Sequence, residues 1–281
     1  GRRPVRYMPK HRCEDMLDEV LGGTSFRLYK ASWETIEREE SYTVQSPFAR
    51  LLWIKEGDGA VHLFSRTIPL KAEQCVLVPT ETAARFEKPA GLSFYWTYFR
   101  ADYAGCVDLC ELLAPSRLTV RIADGEQRFG ELIRCFNRDE AAARLRSTAV
   151  LIDLLARFFE GCRLDAVREK MSRMSRLVGV IRFIDEHLDR SIGIGELAAR
   201  LHLSEKYFSN LFSSVMGEPP TVYINRRRIV RAKRHLLFSS LPIEAIAGKV
   251  GFADPFYFSR LFRRYEGVSP RTYRRQQLSR S

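Results

Sequence analysis

The sequence predicts an α+β protein of two domains: a small antiparallel β-barrel or sandwich with helices at its end, then an all-α tandem helix-turn-helix unit. Three observations predict it: an internal repeat near the carboxyl end, a segregation of charge, and a change of hydrophobic period along the chain.

The repeat comes first. YFSNLFSSVMGEPPTVY at Tyr207–Tyr223 returns as YFSRLFRRYEGVSPRTY at Tyr257–Tyr273, with Tyr, Phe, Ser, Leu, Phe, Gly, Pro and Tyr in register. Each copy follows a run of small apolar residues, ELAARLHLS at Glu196–Ser204 and AIAGKVGFA at Ala245–Ala253. A short helix, a tight turn and a second helix with exposed polar residues make a helix-turn-helix. Two in tandem suit successive major-groove segments of double-stranded DNA. Charge sorts the same way. Residues 1–162 hold 23 Lys and Arg against 23 Asp and Glu, and residues 163–281 hold 23 against 11, so the whole net charge of +12 lies with the repeat. Such a surface attracts a polyanion and makes its binding depend on salt.

Other classes are excluded or disfavoured. With 281 residues the chain is long enough for two cores. No apolar run approaches the ~18 residues of a membrane span, and the opening GRRPVRYMPK lacks the apolar stretch of a secretory signal. The six cysteines (Cys13, Cys75, Cys106, Cys110, Cys135, Cys162) form no C-x-x-C pair and fit free thiols in a reducing cytoplasm. The five histidines (His11, His62, His187, His202, His235) do not cluster, so no metal site and no cofactor is expected.

The amino-terminal domain reads as strands from about 42 to 100: TVQSPFARLLWIKEG, AVHLF, TIPL, QCVLVP, AARFEKP and LSFYWTYFR, broken by turn residues. Gly57-Asp58-Gly59 reads as a hairpin turn, since Asp-Gly tolerates positive φ. Residues 13–40 are weakly patterned and could add edge strands. Period 2 puts Trp96 and Tyr98 on one face of their strand and Arg50 and Leu52 on one face of theirs; with Trp53 and His62, Arg50, Trp96 and Tyr98 are the pocket candidates. Around 126–161 the period turns helical. One stripe runs Leu145, Ala149, Ile152, Ala156, Phe159; another runs Thr148, Leu151, Leu155, Phe158. So wide an apolar face either packs onto the barrel alone or adds a homodimer seam, which would fall at Leu151, Leu155 and Phe158.

The boundaries expected are 1–162 for a sensor and dimerisation domain, 163–175 for a polar linker, and 176–281 for the helix-turn-helix domain. Leu177, Ile181, Ile184 and Leu188 make one face of the first helix of that domain. Ser191 is expected to cap the helix from Ile194 to Leu201, and Thr221–Ser239 reads as a rigid connector between the repeats. In the first repeat Phe208, Leu211 and Phe212 have core spacing, leaving Lys206, Ser209 and Asn210 on the other face. Pro255, Phe256, Ser259 and Arg260 hold the matching face of the second. Arg263, Arg264, Lys249 and Arg226 are placed for phosphates.

Residues Ile194–Arg274 resemble the DNA-binding domain of AraC/XylS-family transcription regulators. The resemblance is carried by Tyr207-Phe208-Ser209 with Phe212, Ala232-Lys233, Gly251-Phe252 with Asp254, Tyr257-Phe258-Ser259-Arg260 with Phe262, and Gly267-Val268-Ser269-Pro270 with Tyr273. Pro219 stands where that family usually has Ser. The resemblance implies that Lys206, Ser209 and Asn210 meet base edges, and RNA polymerase is a partner that fits it. LLWIKEGDG, VLVP and FYWTYFR resemble, more weakly, the cupin-like barrel of sugar-responsive members, which implies a small-molecule effector beside Trp96. After Pro79 the run TETAARF places Ala83 and Ala84 where polar residues are usual. Two alternatives stay open: a regulator whose amino-terminal domain serves only dimerisation or a protein partner, and, more remotely, a metal cupin enzyme with a DNA-binding tail.

Overall fold

The computed structural model describes residues 18–278 apart from Ser65, Cys106 and Arg163. The readings made for Cys13, His11 and Cys106 lie outside the described residues. Residues 18–22 are helical (α1). Two antiparallel sheets follow. One has the order β1-β8-β3-β6-β10 with β9 beside β8: β1 (Thr24–Thr35), β3 (Ala49–Glu56), β6 (Gln74–Val78), β8 (Ser93–Tyr103), β9 (Val107–Asp108) and β10 (Thr119–Arg121). The other has the order β2-β7-β4-β5: β2 (Glu40–Gln45), β7 (Ala83–Lys88), β4 (Gly59–Leu63) and β5 (Arg66–Leu70). Among the described residues the two are separate ladders, so the domain is a pair of facing sheets rather than a closed barrel. The weakly patterned stretch supplies the edge strand β1.

Alternation sorts the side chains. Leu52, Ile54, Val76, Val78, Phe94 and Trp96 pack with Val61, Leu63, Ala84 and Phe86 between the sheets. Leu51, Trp53, Cys75, Leu77 and Phe99 point the other way, onto helices. β3 is buried on both faces, which is why ARLLWI shows no alternation. The Gly57-Asp58-Gly59 turn makes no hairpin. Both edges of β3 are already taken, by β6 and β8, so the turn carries the chain across to the other sheet, where β4 pairs with β5.

Helices close the outer face of the first sheet: α2 (Leu109–Leu113), α3 (Gly125–Phe136) and α4 (Ala141–Phe159). Trp53 donates its Nε1–H to the Ile122 carbonyl at 2.9 Å. A Cβ on Gly125 would come within 2.1 Å of that indole, so α3 reaches β3 only with glycine there. On α4, Leu151, Leu155 and Phe158 are 0%, 2% and 0% exposed and belong to this core, so they cannot form the dimer seam assigned to them. The other stripe is the one facing out, with Leu145, Ala149, Ile152 and Ala156 exposed.

The stretch read as a polar linker is helical from Leu164. It continues unbroken as α5 (Leu164–Glu186) into the helix that carries Leu177, Ile181 and Ile184. Val167, Met171 and Met174 are buried, which anchors its first half on the core; the charged residues between them hid that spacing. Then come α6 (Ile194–Ala199), α7 (Glu205–Met216), α8 (Pro220–Phe238), α9 (Ile243–Lys249), α10 (Pro255–Glu266) and α11 (Pro270–Leu278). Gly193, not Ser191, holds the N-cap position of α6. One apolar core runs from the sheet domain through α5 to Leu197, Phe208, Phe212, Tyr223 and Ile224. A second gathers Ile229, Ala232 and Leu236 of α8 around Phe258, Phe262 and Tyr273. Among the described residues no helix is long and apolar enough to cross a membrane.

Candidate nucleic-acid interface and effector site

The two helix-turn-helix units are one design built twice. Ser204 Oγ accepts the Tyr207 N–H at 3.3 Å at the start of α7, and the Asp254 carboxylate accepts the Phe256 N–H at 2.8 Å at the start of α10. Both helices end in a left-handed glycine, Gly217 and Gly267, each at φ 75°. Phe208 and Phe212, like Phe258 and Phe262, are fully buried. The second ring of each pair meets a tyrosine edge-on, Tyr223 at 5.3 Å and Tyr273 at 5.5 Å. The turns before them differ. His202 takes φ 55° in the first, while in the second a Cβ on Gly251 would lie 2.1 Å from the Leu188 carbonyl oxygen, so only glycine fits.

Burying these rings leaves Lys206, Asn210 and Arg260 exposed and Ser209, Pro255 and Ser259 half-buried. Phe256 is 79% exposed beside them. Arg263, Arg264 and Lys249 are exposed as well. Arg226 departs from its expected phosphate role. Its Nε–H donates to Glu218 at 2.8 Å, its guanidinium lies 5.1 Å from the Tyr223 ring centre, and it lines a cleft between the domains. Its neighbours on α8 are engaged too. Arg227 forms an ion pair with Asp185, Arg228 donates to the Leu188 carbonyl at 3.1 Å, and Arg234 donates to Tyr29 Oη at 3.0 Å. Burial works against the Arg227 charge, but Asp185 outweighs it and holds the guanidinium pKa above its ordinary range. Part of the basic excess is therefore held by groups of the chain itself, and Arg234 by the sheet domain, instead of facing a partner.

Of the five pocket candidates, Arg50, Trp96 and Tyr98 meet between the sheets. The Arg50 guanidinium carbon lies 4.7 Å from the Tyr98 ring centre, and the Tyr98 and Trp96 rings are 4.7 Å apart. Trp96 Nε1–H donates to Glu34 Oε1 at 2.8 Å. Trp53 and His62 do not join them. Trp53 lies on the helix-facing side of β3. His62 lies between the buried Val61 and Leu63 and so points outward, with Nδ1 2.9 Å from Thr67 Oγ1 and Nε2 3.2 Å from Glu87. Lys88 was missed, although AARFEK places it on the inward side with Ala84 and Phe86.

Sequence reasoning also missed the seam between the domains. Lys233 of α8 is 0% exposed, and its Nζ lies 3.0 Å from Glu81 of the sheet domain and 3.0 Å from Glu266 at the end of α10. Glu81 holds a positive φ of 55°, and its backbone N–H donates to Ser46 O at 2.8 Å. Gln45 Nε2 donates to Glu81 O at 2.7 Å, and Tyr273 Oη contacts Gln45 O at 3.5 Å. A cleft of about 930 Å³ opens beside Glu81, bounded by Arg100, Met216, Tyr223, Arg227 and Val230 among others.

Residues 197–276 match the family described as a helix-turn-helix domain. The carboxyl-terminal domain is of the AraC type. YisR of Bacillus subtilis, an HTH-type transcriptional regulator, is 39% identical over 94 residues, which are 34% of this chain and 33% of YisR. The chain thus matches about a third of that relative's length. The raffinose operon transcriptional regulatory protein RafR of Pediococcus pentosaceus is 25% identical over 232 residues, 79% of this chain and 83% of RafR. The structure of ToxT from Vibrio cholerae with an unsaturated fatty acid bound superposes with a TM-score of 0.54, at 14% identity, over 88% of this chain and 95% of that one. That likeness shows a fold shared over most of the chain, sheets and helix-turn-helix units together.

Proposed function

We propose that this chain is a cytoplasmic, sequence-specific transcription regulator and not an enzyme, acting as a homodimer on promoter DNA under control of a small molecule in its sheet domain. One observation carries the reading: two recognition helices of the same construction, each presenting an exposed polar face around a buried phenylalanine pair. Lys206, Ser209 and Asn210 read one major-groove segment, and Phe256, Ser259 and Arg260 the next. The ToxT structure with a fatty acid bound supports ligand control in this fold. A second reading, a sensor domain that meets only a protein partner, is favoured by the closeness of the inter-sheet core, where Trp96 is 7% exposed.

Binding of the full chain to its operator should fall steeply with salt. Each neutralised phosphate contributes a slope of about −0.9 in log K against log salt. Fluorescence anisotropy across a salt series should give a slope of several units; a flat response would remove the DNA assignment. Arg260→Ala should weaken the operator more than random DNA, because a bidentate arginine–guanine pair discriminates by about 1–3 kcal/mol. Arg264→Ala should weaken both alike. Equal losses for both variants would move Arg260 to the phosphate contacts.

A further inference from the structure

The sheet domain buries two cations for which the described residues supply no acid in ion-pairing range. Arg50 is 5% and Lys88 4% exposed. Arg50 shares the inward face of β3 with Leu52 and Ile54, and Lys88 shares the inward face of β7 with Ala84 and Phe86. They flank one ring: the Arg50 guanidinium carbon is 5.7 Å and the Lys88 Nζ 5.6 Å from the centre of Phe86. Arg50 also lies over Tyr98, and Lys88 Nζ is 4.2 Å from the centre of Phe94. Arg50 Nε is buried and makes no hydrogen bond.

The other deeply buried cations are treated differently. Arg100 is paired with Asp102, and Lys233 with Glu81 and Glu266. Glu34 is bonded to the Trp96 indole. Glu40, opposite Lys88 in the ladder, is exposed. Lysine and arginine are almost never buried without a partner. Ring faces return only part of what an ion loses on leaving water. Burial lowers the Lys88 pKa, and Glu34 and Glu40 oppose that shift from beyond ion-pairing distance.

We propose that Arg50 and Lys88 are the anion-recognising end of the effector site, and that the effector is a small organic carboxylate whose apolar or ring-shaped body lies against Phe86, Trp96 and Tyr98. The inference rests on the sheet domain being the sensor. A carboxylate supplies the close ion partner that both cations lack, in the planar form a guanidinium binds with two hydrogen bonds, and the neighbouring rings suit an apolar body better than a bare inorganic anion. The site has a path to the DNA-binding domain. Tyr98 stacks on Phe48 at 6.2 Å, and Phe48 packs on Phe238 of α8 at 5.5 Å.

The test uses the full chain with benzoate, hexanoate, inorganic phosphate and arabinose in thermal-shift and calorimetric titrations. Benzoate or hexanoate should raise the melting midpoint. Arg50→Met should weaken that binding about ten- to a hundredfold, the worth of a charge-assisted hydrogen bond. The ligand-free variant should melt no lower than the wild type, because an unpaired buried charge has been removed. Lys88→Met should behave the same way and serves if Arg50→Met does not fold. No response to either carboxylate, a response to phosphate alone, or arabinose binding indifferent to Arg50→Met would each overturn the proposal. DNA binding by the wild-type preparation separates the two readings. Operator binding without a carboxylate response sinks the effector class alone, and a carboxylate response without operator binding sinks the regulator alone.

Discussion

Lys233→Ala should destabilise the protein by about 3–5 kcal/mol, the usual result of removing one partner from a buried ion pair. Among the described residues the ammonium is the one cation paired with Glu81 and Glu266, at 3.0 Å from each, and its loss leaves the Glu266 side chain, 4% exposed, with a bare charge. The melting midpoint should drop by on the order of 10 °C. The loss should depend on pH. Burial already raises the Glu266 pKa, and Lys233 opposes that rise; without Lys233 the pKa climbs further. A carboxyl whose folded pKa exceeds its unfolded value binds its proton more tightly when folded. Its contribution is therefore favourable at low pH and is lost as pH rises through the folded pKa. The Lys233→Ala penalty should thus shrink as pH falls toward about 5. A variant melting within about 2 °C of the wild type at neutral pH would show that the triad adds nothing. Glu81→Gln should cost less, since Lys233 keeps Glu266, but it removes the ion pair between the sheet domain and the second helix-turn-helix. That unit has its own core, whereas the first shares the sheet domain's core. Glu81→Gln should therefore change operator affinity through the second unit, and footprinting would show the change confined to its half of the site.

What the sequence made legible was local. The recognition helices follow from phenylalanines four residues apart and a capping Ser or Asp, signals carried within one turn of helix. The strands followed from alternation and turn residues in the same way. The misreadings share a different cause. Glu81 and Lys233 are 152 residues apart, and no local pattern marks their meeting. Arg226, Arg227 and Arg234 look like a basic stripe, yet Glu218, Asp185 and the Tyr29 hydroxyl claim them. Trp53 and Arg50 sit on one strand, and only the second layer packed on β3 decides which face becomes the inter-sheet space. Residues 163–175 read as a linker because their charged side chains mask the buried spacing of Val167, Met171 and Met174.

Leu151→Glu should abolish folding, and Leu155→Glu should do nearly the same. Both side chains are within 2% of complete burial in the core that joins α4 to the sheet and to α5. A glutamate there either carries a charge into an apolar core or takes up a proton and still buries a polar carboxyl among apolar neighbours. Losses above about 4 kcal/mol belong to this kind of change, and the total stability of a domain is about 5–15 kcal/mol. Circular dichroism should show a collapsed or aggregated product, and a folded monomer would show that α4 is not held as described. The outward stripe is where self-association is to be tested. Leu145 is 73% and Ile152 41% exposed, with Ala149 and Ala156 exposed between and beyond them. A large apolar side chain on the solvent face adds little to the monomer's stability, so Leu145→Glu and Ile152→Glu should each leave the unfolding free energy within about 0.5 kcal/mol of the wild type. If two chains pair through this stripe, either change places like charges across the seam and should yield a folded monomer with weaker operator binding. Sedimentation at micromolar concentration reads the outcome: a wild-type monomer, or a dimer that survives both substitutions, would remove α4 from the dimer interface.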